Sequence, residues 1–306
     1  MSVVSPRLSA ALFHPRYWLL WLGLFSLRLL VQLPFAWLMA LGGTLGRLAM
    51  PLMRSRVRIA RRNLALALPE LDEAEREALL RENFANVGRA ILETGMAWFW
   101  SDARMRRWMQ VEGLEHLQAA QQQGQGILLL SAHFLTLELN ARMFGLLQPG
   151  VGVYRPNRNP LLEYAQVTGR CRSNKSLLDR KDVKGMIKAL RAGDALWYAP
   201  DHDYGPHASV FVPFFAVAQT ATITGTATLA RVKNTVVMPC FTLRQPKGGY
   251  RLLLGAPLTD YPSGDDEADA TASNRVIEAA IRQAPAQYMW LHRRFKTTPP
   301  GVPSRY

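Results

Sequence analysis

A histidine and a glutamate five residues apart, His133 and Glu138, stand directly after a short apolar run, Gly126-Ile127-Leu128-Leu129-Leu130. Bounded by the glycine-containing Gly124-Gln125-Gly126, the run is expected to form a buried strand, and Leu139 to Leu147 a helix. On a straight helix, residues five apart point about 140° away from each other. The two side chains therefore meet only if His133 precedes the helix and folds back over its first turn. There the positive helix end favours a neutral imidazole, and the Glu138 carboxylate can fix its tautomer and stabilise an imidazolium in the transition state. A general-base dyad is the expectation, and two polar side chains at a surface are the alternative.

Basic loops follow later strands. Arg155 and Arg158 flank a proline-rigid turn, Arg170-Cys171-Arg172-Ser173-Asn174-Lys175 forms a second loop, and Asp179-Arg180-Lys181-Asp182 a third. Loops at strand ends are where α/β proteins bind ligands, and arginine forks match phosphates and carboxylates. Arg155, Arg170, Asn174 and Lys175 are thus candidates for holding an anionic substrate, with solvated surface as the other reading. The densest polar cluster is Asp201-His202-Asp203-Tyr204-Gly205-Pro206-His207. Asp201, His202, Asp203 and His207 are of the right types for a divalent metal, which makes a metal-dependent phosphoesterase a rival function. Further histidine ligands would come from His14, His116, His133 or His292. A simpler account is a Gly-Pro turn stabilised by Asp201, with that carboxylate orienting a neighbouring arginine and Tyr204 beside the substrate. On this account there is no metal. Nucleophile-elbow, P-loop and dinucleotide glycine motifs are missing from the sequence. The two cysteines, Cys171 and Cys240, match no disulfide or metal spacing, and a reducing compartment is the simpler inference.

The elements that must position these residues alternate. Strands are expected at Val151 to Tyr154, Ala195 to Tyr198, Val210 to Val212, Thr235 to Leu243 and Tyr250 to Leu254. Helices are expected at Asn159 to Gly169, Val183 to Arg191, Ala221 to Val232 and Asp265 to Gln283. The pattern gives a layered α/β domain, a mixed sheet flanked by helices, over residues 111–306. Residues 51–110 read as a helical region beside a membrane. Asp72 with Glu75 forms a capping pattern, and Leu79, Leu80, Phe84, Val87, Ile91 and Leu92 recur at helical steps. Met96 to Trp100 and Arg104 to Trp108 mix aromatics and cations, as an interfacial surface or a core helix with a basic end would. Residues 1–50 read as an anchor. Tyr17 to Leu27 and Leu29 to Gly46 are uncharged, together long enough for one membrane helix of about 20 residues. Arg28 interrupts at about 2.5 to 3.5 kcal/mol, less if it snorkels. A helix pair broken at Pro34 is the alternative. Arg47, Arg54, Arg56, Arg58, Arg61 and Arg62 follow the apolar segment against Arg7 and Arg16 before it, which sets the body of the protein in the cytoplasm.

The chain has 306 residues, 49% of them hydrophobic, and a formal charge of +14, so a large core and an anionic partner are both expected. Nucleic acid is the weaker partner, because the arginine cluster abuts a membrane-length apolar run without a recognition motif.

His-x4-acid after an apolar strand resembles the signature of the glycerolipid and lipid A acyltransferases. Longer runs carry the resemblance further: His14-Pro15-Arg16-Tyr17-Trp18, Tyr154-Arg155-Pro156-Asn157, Arg172-Ser173-Asn174-Lys175-Ser176, Trp197 to Pro206, Val210 to Phe215 and Gln287 to Lys296. The chain is similar over nearly its whole length to the late acyltransferases of lipid A biosynthesis, and most to their lauroyltransferase branch, with palmitoleoyl- and myristoyl-transferring branches as alternatives. The resemblance implies transfer of an acyl group from acyl carrier protein to a hydroxyl on an acyl chain of a Kdo-bearing, anionic glycolipid at the inner membrane, with no other cofactor. His133 would be the base and Glu138 its partner, with Arg170 and Asp201 matching positions associated with activity. Glu138 stands where the glycerolipid branch usually has aspartate, which argues against a glycerophosphate acceptor. A third class, a membrane scaffold without turnover, would keep lipid binding when His133 is removed.

Overall fold

In the computed structural model, which describes residues 6–306, nine strands and their helices build a mixed α/β architecture. The strands are β1 (Met109–Glu112), β2 (Gly126–Leu130), β3 (Val151–Tyr154), β4 (Ser176–Asp179), β5 (Ala195–Tyr198), β6 (Ser209–Phe214), β7 (Val217–Ile223), β8 (Thr235–Arg244) and β9 (Tyr250–Leu254). Seven form one sheet in the order β1-β9-β8-β2-β5-β3-β4, parallel throughout except between β8 and β9, and β6 and β7 make a separate antiparallel ribbon. β2 lies at the centre and is buried along its whole length, as an unbroken apolar run in a two-sided sheet must be. Leu128 and Leu130 pack into the core on one sheet face and Ile127 and Leu129 into the core on the other. Each such side chain contributes about 1.5–3 kcal/mol by leaving water.

The region 221–232 is not one helix. Ala221 and Thr222 pair with Phe211 and Val210 in the β6–β7 ribbon, so only Gly225–Ala230 is helical. The capping expectation at Asp72 holds: its Oδ1 accepts from Glu75 N at 2.8 Å while Glu75 Oε2 accepts from Asp72 N at 2.8 Å, opening the helix Glu73–Phe99. The aromatic end of that helix turns inward. Trp100 is buried and its indole N–H donates to Val31 O at 2.6 Å.

The apolar amino-terminal stretch is not one span over 17–46. It divides into the helices Trp18–Leu30 and Phe35–Ala49, parted at Pro34, which lacks an N–H and bars helix from the residue before it. The second helix continues with a single 3₁₀ turn, Met50–Met53, into Arg54–Ala67. By length and composition the combined helix Phe35–Ala67 is apolar enough to cross a membrane, with 28% of its apolar window buried. Part of it is fixed by close backbone contact. A Cβ at Gly46 would lie 2.1 Å from Phe84 O, and one at Gly88 2.0 Å from Gly42 O, so only glycine lets this helix and Glu73–Phe99 approach so closely. The opposite side is bare: of sixteen exposed large apolar side chains among the described residues, twelve lie between Leu8 and Leu52.

Candidate active site

β2 and β5 are adjacent and parallel, with Leu130 opposite Tyr198. Three residues beyond that pair lie His133 and Asp201. Parallel register therefore brings the two together at the carboxyl ends of the central strands, the place where α/β sheets hold their ligands. Asp201 is fully buried, and its Oδ1 lies 2.8 Å from His133 Nδ1. Its Oδ2 accepts from His133 N at 3.0 Å and from the Tyr288 hydroxyl at 2.9 Å. Burial by itself would raise the Asp201 carboxyl, but the charge and hydrogen bonds of His133 outweigh it and hold it well below the usual carboxylate range. Burial and then Asp201 push the Tyr288 phenol far up, so it stays a donor. With Nδ1 engaged by a carboxylate, Nε2 is the nitrogen His133 presents outward.

The carboxyl-terminal segment closes around this pair. Phe134 bridges Tyr288 in antiparallel fashion, with Leu135 N donating to Gln287 O at 2.8 Å and Met289 N to His133 O at 3.0 Å. A tight turn closed by Phe134 N donating to Ala132 O at 2.8 Å thus carries His133, a second turn follows at 135–136, and the helix Leu137–Leu147 begins only afterwards. Among the described residues the hydrogen-bond partner of the His133 ring is Asp201 and not the Glu138 expected from the spacing. The Glu138 carboxylate is taken instead by Arg170, whose Nη2 donates at 2.6 Å and Nε at 3.1 Å, and by the Trp98 indole at 3.0 Å. Glu138 and Arg170 are each 14% exposed in their side chains. They form a buried ion pair that joins the helices Leu137–Leu147, Pro160–Arg170 and Glu73–Phe99.

Two further histidines, which the sequence offered with His133 only as possible metal ligands, stack beside it. The His202 ring lies on His133 with centroids 3.5 Å apart and planes 13° off parallel, and His292 lies on His202 at 4.0 Å. Burial, with His133 next to it, pushes His202 down to about 3. His292 is lowered as well, by burial and then His133. His202 and His292 are thus neutral at working pH, and the His202 ring lies flat against that of His133.

A cleft of about 540 Å³ opens over this face, lined by His133, Arg155, Arg180, Lys181, Trp197 and Tyr204, among others. Of the residues expected to bind substrate, Arg155 and Tyr204 line this cleft. Asp201 lies beneath it, orienting the histidine and not an arginine. Asn174 is spent within the fold, donating to Ala141 O at 3.0 Å and to Arg170 O at 3.1 Å, and Lys175 pairs with Asp194.

The rival metal set does not come together. Asp203 accepts from Thr297 N and Oγ1, both at 2.7 Å, and His207 is exposed. Ligand-type atoms of His133, Asp201 and His202 do lie within 4.8 Å of one another. Stacked imidazoles, however, direct their in-plane lone pairs along parallel lines and not to one point about 2.0–2.1 Å from both nitrogens. Both Asp201 oxygens already accept hydrogen bonds. These residues fit a proton-moving pair better than a metal site.

Residues 6–297 match the family model described as bacterial lipid A biosynthesis acyltransferase. The chain is 56% identical over 302 residues to the lipid A biosynthesis lauroyltransferase of Escherichia coli K12, covering 98% of this chain and 99% of that protein. Identity to the palmitoleoyltransferase of the same organism is 45% over 301 residues, covering 98% of each chain. To its myristoyltransferase it is 30% over 304 residues, covering 98% of this chain and 94% of the other.

Proposed function

Because the chain belongs to the bacterial lipid A biosynthesis acyltransferase family, we propose that it moves a lauroyl group from acyl carrier protein to a hydroxyl on an acyl chain of a Kdo-bearing lipid A precursor. The observation that carries the mechanism is the 2.8 Å contact of His133 Nδ1 with the fully buried Asp201, which leaves Nε2 for substrate. His133 Nε2 takes the acceptor's hydroxyl proton as the oxygen attacks the thioester carbonyl carbon. Asp201 stabilises the imidazolium that forms. Arg155, on the cleft wall, is our assignment for the charge on the carbonyl oxygen. Collapse of the tetrahedral intermediate breaks the carbon–sulfur bond, and the imidazolium returns its proton to the leaving thiolate. The new ester forms without a covalent acyl-enzyme, and the chemistry calls on no metal.

The acceptor's charge suits the +14 balance of the chain. Attachment to the inner membrane, with the cleft on the cytoplasmic side where carrier thioesters are made, is supported by the bare apolar side chains between Leu8 and Leu52 and the exposed arginines Arg54, Arg56 and Arg58 that follow. Lauroyl is favoured by the higher identity to the lauroyltransferase. The test is transfer by purified, detergent-solubilised protein from carrier thioesters of several chain lengths to the Kdo-bearing precursor, with and without chelator. Chelator-resistant transfer is expected, with lauroyl fastest. Two buried methylenes are worth about 1.6 kcal/mol, so a donor two carbons too short should lose roughly fifteenfold. No transfer by folded protein would overturn the reading.

A further inference from the structure

The cleft over His133 has a charged rim that the chemistry above does not use. Val183–Arg191 is a helix that buries Met186, Ala189 and Leu190 and turns Lys184, Lys188 and Arg191 outward. With Lys181 just before the helix, the exposed cations fall at positions 181, 184, 188 and 191, steps of three and four that make one stripe. None of the four forms an ion pair among the described residues. Lys184 and Lys188, a like-charged pair one turn apart, repel each other without an internal partner to offset it. The stripe runs into the site, because Lys181 and Arg180 also line the cleft, and the Arg180 guanidinium stands 5.8 Å from the centre of the Tyr204 ring. Val183 adds one exposed apolar contact, 46% accessible.

The helix lies across the sheet from the apolar amino-terminal helices. Its Met186, Ala189 and Leu190 pack with Leu128 and Leu130, whereas Val31, Phe35 and Leu38 pack on the opposite sheet face with Ile127 and Leu129. A cationic stripe on the face away from the bare apolar helices suits a soluble acidic partner more than a lipid surface. We propose that Lys181, Lys184, Lys188 and Arg191 form the docking surface for the acidic helical face of the acyl carrier, setting its thioester arm into the cleft past Arg180. The inference rests on the reading that the donor is a carrier thioester. Complementary charge of this kind speeds encounter and fixes orientation, and salt weakens it.

The test is the double variant Lys184→Glu/Lys188→Glu, which leaves the cleft lining untouched. Transfer is measured with two donors, lauroyl carrier protein and lauroyl coenzyme A, and labelled holo-carrier binding is followed by fluorescence anisotropy. KM for the carrier donor is expected to rise about tenfold or more, with kcat nearly unchanged and the salt dependence flattened. Turnover of the coenzyme A donor should stay as in the parent, and a carrier whose facing acidic residues are changed to lysine should recover affinity for the variant. Unchanged carrier KM and binding would overturn the docking surface while leaving the donor assignment standing. A parent enzyme that uses the coenzyme A thioester and not the carrier thioester would instead overturn the donor assignment. Loss of binding to phosphatidylglycerol vesicles with carrier binding intact would reassign the stripe to the membrane.

Discussion

Replacing Asp201 by asparagine separates the structural partner of His133 from the partner its sequence spacing suggested. The two side chains have the same shape. In the variant, the amide oxygen can still accept from His133 N and the Tyr288 hydroxyl, the two bonds now made by Oδ2. The amide nitrogen then faces Nδ1, 2.8 Å away in the parent, and as a donor it requires an unprotonated Nδ1. The proton moves to Nε2, where the base must be free. The variant thus keeps the ring in place and inverts its tautomer. Loss of general-base catalysis lowers kcat by about 10² to 10⁴-fold, the same range expected for His133→Ala. The double variant should be no slower than His133→Ala alone, because both changes remove one unit. Stability should fall only by about 1–2 kcal/mol, the difference between hydrogen bonds to a charged and a neutral acceptor. The assay is single-turnover acyl transfer followed by mass spectrometry, with melting temperature as the control for folding. Near-parental activity in Asp201→Asn, together with a collapse in a folded Glu138→Gln variant, would refute the assignment and restore Glu138 as the partner.

Other expectations follow from neighbouring geometry. Glu138→Ala leaves a buried Arg170 unpaired and should cost about 3–5 kcal/mol, read as a lowered melting temperature, with Arg170→Ala behaving alike. His202 takes a proton near 3 in the folded protein against 6.5 ordinarily, so the unfolded chain binds more protons between those values. Stability therefore declines as pH falls below about 6.5 and continues to decline toward 3; His202→Phe, a flat uncharged ring, should flatten the pH 4.5–6.5 part of a denaturation series. Gly46→Val puts a side chain where Phe84 O already stands, and should destabilise by about 1–3 kcal/mol or more and weaken retention in membrane fractions.

His133 was legible because an apolar run ending in a polar residue has a physical meaning, the carboxyl end of a buried strand. Its partner was not, because the choice between Glu138 and Asp201 is made by the pairing of Leu130 with Tyr198 and by the bridge from Phe134 to Tyr288, both long-range. The cluster 201–207 drew attention for its composition. Only the packed chain separates its members into the buried Asp201, the stacked His202, Asp203 bound to Thr297, and the exposed His207. Most elements from β2 onward were readable from period and turns, whereas β1 and β4 hold only two apolar residues each, too few to mark a strand. The last residues of the ribbon strand β7, from Ala221, lie in a stretch that reads as helix. Trp98 and Trp100 look like membrane-facing aromatics by composition, yet their indole N–H groups are committed to Glu138 and Val31 O.

The strand order has a bearing on when the enzyme becomes reactive. β5 sits between β2 and β3, although β3 and β4 are synthesised before it. The slot beside β2 therefore waits, during synthesis, for a strand that emerges after two of its neighbours, and His133 meets Asp201 across 68 residues only when that slot is filled. Closing so long a connection late is entropically costly and slow. Until then the His133 imidazole lacks the carboxylate that engages its Nδ1. On the proposed mechanism, the onset of acyl transfer during refolding would time the seating of a single central strand.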